Sequence, residues 1–173
     1  MAGLRPLSPA ILFSDKDIVM PNRRTVLGAL GALPFGLASG PLRAATPYEV
    51  TMLTEGGRMR FSPDLLVVPA GAQVTFTPAS PGHNTQTTPG MIPEGAAPWR
   101  FGFGKTGTVT LSVPGFYGYH CLPHRGLGMV GLIIVEGAGM RANLAAAKAV
   151  KHAGQSAEAW ERLWAKADAV MTE

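Results

Sequence analysis

Gly115-Phe-Tyr-Gly-Tyr-His-Cys-Leu-Pro-His-Arg-Gly-Leu-Gly-Met-Val-Gly131 contains the chain's one cysteine, Cys121, followed by His124 and Met129 in a C-x2-H-x4-M spacing. Phe116-Tyr-Gly-Tyr119 before it is aromatic and reads as a strand, and Leu132-Ile-Ile-Val135 after it is an apolar run of strand length. A thiolate, an imidazole and a thioether therefore share one short loop between two strands. With one more histidine, these are the donors of a blue copper electron-transfer centre, two His and a Cys in a trigonal plane with a weak, long axial Met. Gly126 and Gly128 allow backbone dihedrals that other residues avoid, and Pro123 stiffens the turn without adding an amide proton near the sulfur.

The remaining ligand must come from upstream. The histidines are His83, His120, His124 and His152. His120 is next to Cys121 in a strand, so its side chain points to the opposite face. His152 falls in a late helical segment. His83, in the loop Pro81-Gly-His-Asn84 after the strand-like Val74-Thr-Phe76, is left, and the expected metal ligands are His83, Cys121, His124 and Met129.

A Gly-His-Asn element and a Tyr-x-x-x-Cys-x-Pro-His-x-Gly-x-Gly-Met-Val-Gly element, the latter beginning here at Tyr117, resemble those of the cupredoxins. Within that family the chain is most similar to the pseudoazurins. His83 and Cys121 stand 38 residues apart, Gly90-Met-Ile-Pro-Glu-Gly95 follows the first histidine, and a helical tail follows the last strand where plastocyanins stop. The resemblance covers roughly residues 47 to 171. It implies a Greek-key β-sandwich, one type 1 copper ion per chain, and a mobile carrier of single electrons rather than an enzyme. It also implies redox partners such as a copper nitrite reductase of denitrification or a c-type cytochrome, and it assigns Asn84 the task of tying the two ligand loops together by hydrogen bonds.

The net charge of +4 and the high pI do not indicate nucleic-acid binding. Arg5, Lys16, Arg23, Arg24 and Arg43 against Asp15 and Asp17 give residues 1–44 a net of +3, and residues 45–173 carry only +1. No basic run with interleaved aromatics supports a nucleic-acid surface. Residues 1–44 read instead as an export signal of the twin-arginine type. Asn22-Arg-Arg-Thr-Val-Leu27 is the basic region, Val26 to Ala38 is apolar but shorter than the ~20 residues a bilayer requires, and Leu42-Arg-Ala-Ala45 suits cleavage. Met20 is the expected true start, and the periplasm the expected destination, with no stable membrane association after signal removal. A single cysteine in an oxidising compartment cannot form an internal disulfide, and a bound metal would occupy its thiol.

From Pro47 onward the pattern is β. Strands are expected over Tyr48–Leu53, Met59–Phe61, Leu65–Val68, Gln73–Thr77, Thr108–Val113 and Phe116–Cys121, with Asn84–Thr87 as a further candidate inside an otherwise looped stretch from Pro78 to Gly104. Short strands punctuated by Gly and Pro indicate a sandwich or barrel. Residues 45–137 form the β domain and residues 138–173 a helical extension, with helices over Met140–Val150 and Gln155–Met171. In the second helix Trp160, Leu163, Trp164, Ala167, Val170 and Met171 share one face and should pack on the sandwich.

Zinc is disfavoured, because structural zinc takes four Cys or His ligands and here the fourth donor is a thioether. His120 next to a ligand cysteine resembles the arrangement that wires a blue copper to a second copper in copper nitrite reductases and multicopper oxidases. That chemistry needs more histidines than His120 and His152, so His120 is read as an outward strand residue. A copper storage or delivery protein, or a plastocyanin-like carrier, are the alternatives to a pseudoazurin-like carrier. The apolar Leu122, Pro123, Gly126, Leu127 and Gly128 around His124 form the expected docking face, with Arg100, Lys105 and Arg125 expected to steer an acidic partner to it.

Overall fold

The computed structural model describes residues 48–172; the expected export segment over 1–44, with Arg23, Arg24 and Met20, lies outside the described residues. Eight strands run β1 (Tyr48–Glu55), β2 (Arg58–Ser62), β3 (Leu65–Pro69), β4 (Ala72–Pro78), β5 (Gln86–Thr87), β6 (Gly107–Leu111), β7 (Gly115–His120) and β8 (Val130–Glu136). Two helices follow, α1 (Leu144–Ala149) and α2 (Gln155–Val170). The strands make two four-stranded sheets, β2-β1-β4-β6 and β3-β8-β7-β5. β1 runs parallel to β4 and β3 parallel to β8, and every other neighbouring pair is antiparallel.

In the first sheet the period-2 pattern sets the burial. Val50 and Met52 of β1 and Val74 and Phe76 of β4 are buried, while Glu49, Gln73 and Thr75 between them face outward. The second sheet is covered on both faces, and its central strands are apolar without alternation. Tyr117, Tyr119, Ile133 and Val135 point between the sheets and pack with Phe61, Phe76 and Trp99. Phe116, Leu132 and Ile134 point the other way, onto Trp160, Leu163 and Ala167 of α2. Gly131 belongs to this packing, because a Cβ there would collide with the ring of Tyr119.

The structure has the expected all-β sandwich with two C-terminal helices, and α2 matches its expected span to within one residue. On α2, Trp160, Leu163 and Ala167 are buried, Trp164 and Met171 are half-buried, and Val170 is exposed. The first helix is shorter than expected and begins at Leu144 rather than Met140. The cause is Asn143. Its side chain leaves the helix N-terminus uncapped, accepts from the Phe116 N–H at 3.0 Å and donates to the Phe116 carbonyl at 2.8 Å. Asn143 thus acts as a one-residue strand partner at the start of β7, which holds residues 140–143 in turns. The candidate strand at Asn84–Thr87 contracts to Gln86–Thr87 because the Asn84 side chain is taken up by the Leu122 N–H and the Phe101 carbonyl.

Candidate metal centre

The turn from β7 to β8 is closed by its own backbone. The Cys121 N–H donates to the Met129 carbonyl at 3.1 Å, and the His124 N–H to the Cys121 carbonyl at 3.2 Å. The His124 carbonyl accepts from both Leu127 (3.0 Å) and Met129 (3.1 Å). Arg125–Leu127 form a single 3-10 turn that ends at Gly128 with φ of 86°, a left-handed conformation that a side chain would strain. Pro123 sits where no partner is needed for an amide. The loop therefore presents Cys121 and His124 from a rigid ring of hydrogen bonds.

His83 comes from the loop between β4 and β5, and Asn84 brings it in. The Asn84 side chain accepts from the Leu122 N–H at 2.7 Å and donates to the Phe101 carbonyl at 3.3 Å, while its own N–H points at the Cys121 Sγ at 3.5 Å. The Gly104 N–H holds the His83 carbonyl at 2.8 Å. Three loops, after β4, before β6 and after β7, are thereby locked together, and the tie expected of Asn84 is present.

The outcome is a triangle of donor atoms. His83 Nδ1 lies 3.1 Å from His124 Nδ1, and Cys121 Sγ lies 3.9 Å from the first and 3.4 Å from the second. The circle through the three atoms has a radius of about 2 Å, the length of a first-row metal bond to an imidazole nitrogen. Two imidazoles and a cysteine sulfur at that spacing are the residues that would hold a type 1 copper ion. The electrostatics agree. His83 and Cys121 are buried; burial and then the neighbouring His124 lower the His83 pKa. Burial raises that of the Cys121 thiol against the opposing hydrogen bonds from Asn84 and His124. The three donor atoms converge on one point. The outer nitrogen of His83 meets the Thr54 hydroxyl at 3.0 Å, which orients the ring. The His124 ring is half-exposed.

Met129 is fully buried and belongs to the same cluster as Cys121, Tyr119 and Phe76. His120 departs from its expected place. It does point away from Cys121, but that face is not open to solvent: His120 is 2% exposed. Thr88 Oγ1 lies 2.8 Å from its Nδ1 and Gln86 Nε2 lies 3.2 Å from its Nε2. Burial first, then Arg125 and His152, push its pKa down to about 4. The expectation of an outward residue fails because the face is covered, and a lone strand read by periodicity carries no sign of what covers it. His152 stacks on Trp160 with centroids 5.0 Å apart. Sequence reasoning also missed Thr54 and the Phe101 carbonyl. Both act on the site through contacts across the fold, and neither carries a local signal.

Residues 48–136 match the family of copper binding proteins described as the plastocyanin/azurin family. The chain is 37% identical over 126 residues to a pseudoazurin of Methylorubrum extorquens, covering 72% of this chain and 84% of the relative. It is 39% identical over 127 residues to a pseudoazurin of Paracoccus pantotrophus, covering 72% and 85%. Among solved structures, the pseudoazurin of Methylobacterium extorquens superposes with a TM-score of 0.65 at 36% identity, over 70% of this chain and 98% of that one. Native pseudoazurin of Hyphomicrobium denitrificans gives 0.64 at 32% identity, over 70% and 98%. The donor triangle fits the copper of the matched family, and the chain belongs to the pseudoazurins, within the plastocyanin/azurin family of copper-binding proteins.

Proposed function

We propose that this blue copper protein is a periplasmic carrier of single electrons, with His83, Cys121 and His124 as equatorial ligands and Met129 as the axial one. The observation that carries the reading is the donor triangle. Copper, when bound, supplies a one-electron couple between Cu(II) and Cu(I). The chain holds the donors so that little moves between the two states: Cys121 and His124 sit in one hydrogen-bonded turn, and His83 is anchored through Asn84 and Thr54. That rigidity argues against storage or delivery, where metal must leave easily. Among the described residues no helix is long and apolar enough to cross a membrane. The periplasmic assignment rests on the twin arginines Arg23 and Arg24 before a short apolar stretch.

The proposed exit for the electron is the half-exposed edge of His124. Leu127 beside it is 51% exposed, and Phe103, on the loop whose Gly104 braces His83, is 55% exposed. Apolar surface of this size suits a brief contact. Charge supports an acidic partner. The ion pairs among the described residues join Glu55 to Arg60, Asp64 to Lys166, Lys148 to Asp168 and Glu158 to Arg162. None includes Arg100, Lys105 or Arg125, the exposed cations on the loops that carry or brace the ligands. Uncompensated positive charge at the copper end steers an anionic redox protein toward it, and a copper nitrite reductase or a c-type cytochrome is the proposed partner.

Adding Cu(II) to the copper-free protein should give one bound ion, an intense visible band and the EPR signal of a type 1 site. Colour that bleaches on reduction, returns on oxidation and survives a mild chelator supports the carrier; loss of copper to the chelator supports delivery instead. Replacing Arg23 and Arg24 by Lys should leave precursor in the cytoplasm, and unchanged export would overturn the twin-arginine reading.

A further inference from the structure

Gly128 immediately precedes Met129, and it lies directly against the first turn of α2. A Cβ at Gly128 would stand 3.3 Å from the Gln155 carbonyl oxygen and 3.4 Å from the Ala159 Cβ, so no side chain separates the loop from the helix. On the other side of Met129, Val130 is buried among Trp160, Leu163 and Ala159. The Val130 N–H donates to the Gly128 carbonyl at 3.0 Å, which joins these two seats. Met129 itself points the opposite way, fully buried in the core between the sheets. Its amide and carbonyl are held by His124 and Cys121. Both chain neighbours of Met129 are thus seated on α2, while its own backbone groups are tied to the turn that carries the ligands.

We infer that the first turn of α2 is a positioning element for the copper centre: it sets how far the Met129 thioether reaches toward the metal, and through that distance the reduction potential. The inference rests on the reading of Met129 as axial ligand. Bonds from copper to thiolate and imidazole are short and strong, so those distances resist the scaffold. The axial thioether bond is long and weak, and its length follows the backbone that carries the methionine. That backbone follows the helix. α2 is itself stiffly seated, with Trp160, Leu163 and Ala167 packed on Val130, Leu132 and Ile134 and the His152 ring stacked on Trp160. A core packed to this density transmits a small displacement rather than absorbing it. The helical tail therefore has a part in the redox chemistry, although no residue of it touches the metal.

The test is a set of variants of the copper-loaded full chain, read by potentiometry, EPR and the ratio of the visible copper–sulfur bands. Ala159→Leu places a wedge against Gly128 and should keep one copper per chain while shifting the potential and the band ratio. Ala165→Leu, on the exposed side of the same helix, should leave both unchanged. Met129→Leu should change both more than Ala159→Leu does. An Ala159→Leu protein with the parent's potential and spectrum, while Met129→Leu differs, overturns the inference and leaves the ligand assignment standing. A Met129→Leu protein identical to the parent overturns the ligand assignment itself. If Ala159→Leu fails to fold, amide hydrogen exchange on the copper-free parent decides: the Met129 and Ala159 amides should open together, with the same protection. A Met129 amide that opens independently of a protected Ala159 amide overturns the inference.

Discussion

The two sheets have four strands each and do different work. The sheet β2-β1-β4-β6 buries one face and wets the other, and its strands alternate accordingly. The sheet β3-β8-β7-β5 is packed on both faces, between the first sheet on one side and α2 on the other. Cys121 follows β7 directly and Met129 precedes β8 directly, so both are hung from the two doubly covered strands. The remaining ligand candidates, His83 and His124, sit on loops, and only His124 reaches solvent. The difference teaches where a redox centre gets its stiffness. The strands that present Cys121 and Met129 cannot shift without disturbing two cores at once, while the wetted sheet supplies the loops of His83 and Gly104 and the Thr54 contact to His83.

The largest expected effect is at the end of the doubly covered sheet. Cys121→Ala should abolish the visible colour completely, while circular dichroism of the copper-free variant stays that of a folded sandwich; a coloured variant would remove Cys121 from the site. Next come the sheets themselves. Leu132→Ala, on the face of β8 beneath α2, should cost about 3 kcal/mol in urea unfolding, because a fully buried leucine leaves a cavity that neighbours fill only in part. Thr110→Ala, on the wetted face of β6, should stay within about 0.5 kcal/mol, the usual range for an exposed site. Equal costs at the two positions would break the contrast between the sheets.

Smaller still is the effect of the axial donor. Met129→Leu should retain copper and raise the potential, since it removes a weak donor that favours Cu(II). A lowered potential in a voltammogram would count against Met129 as ligand. The smallest effect is confined to the surface. Arg125→Glu should leave spectrum and stability alone and slow association with an anionic redox partner, by an amount that shrinks as salt is added. Stopped-flow rates indifferent to both salt and charge reversal would leave only the apolar patch as a docking device.

Much of this was legible in the residues. The soft donor set of Cys121, His124 and Met129 within nine positions is a local pattern, and local patterns survive any fold. Period-2 alternation predicted β1, a Pro/Gly turn before a strand-like run predicted β4, and helical periodicity predicted α2, because each is a property of neighbouring residues. The misreadings share a cause. Met140–Asn143 has helix-forming composition, yet Asn143 is drawn to the backbone of Phe116, 27 residues away. His120 has the alternation of an outward residue, yet its face is covered. In each case a partner distant in sequence outweighed a local preference.

Residue identity and local pattern set which atoms are available to a metal, roughly which segments are strand and helix, and that one cysteine would have to serve alone. The tertiary structure decided the rest. It paired β1 with β4 and β3 with β8 in parallel, placed Thr54 on His83, and brought Nδ1 of His83 within 3.9 Å of a sulfur 38 residues away. The reason is physical: donor chemistry and periodicity belong to single residues and short windows. The distance between two loops is set by the joint packing of two sheets and a helix, and no window of the chain contains that.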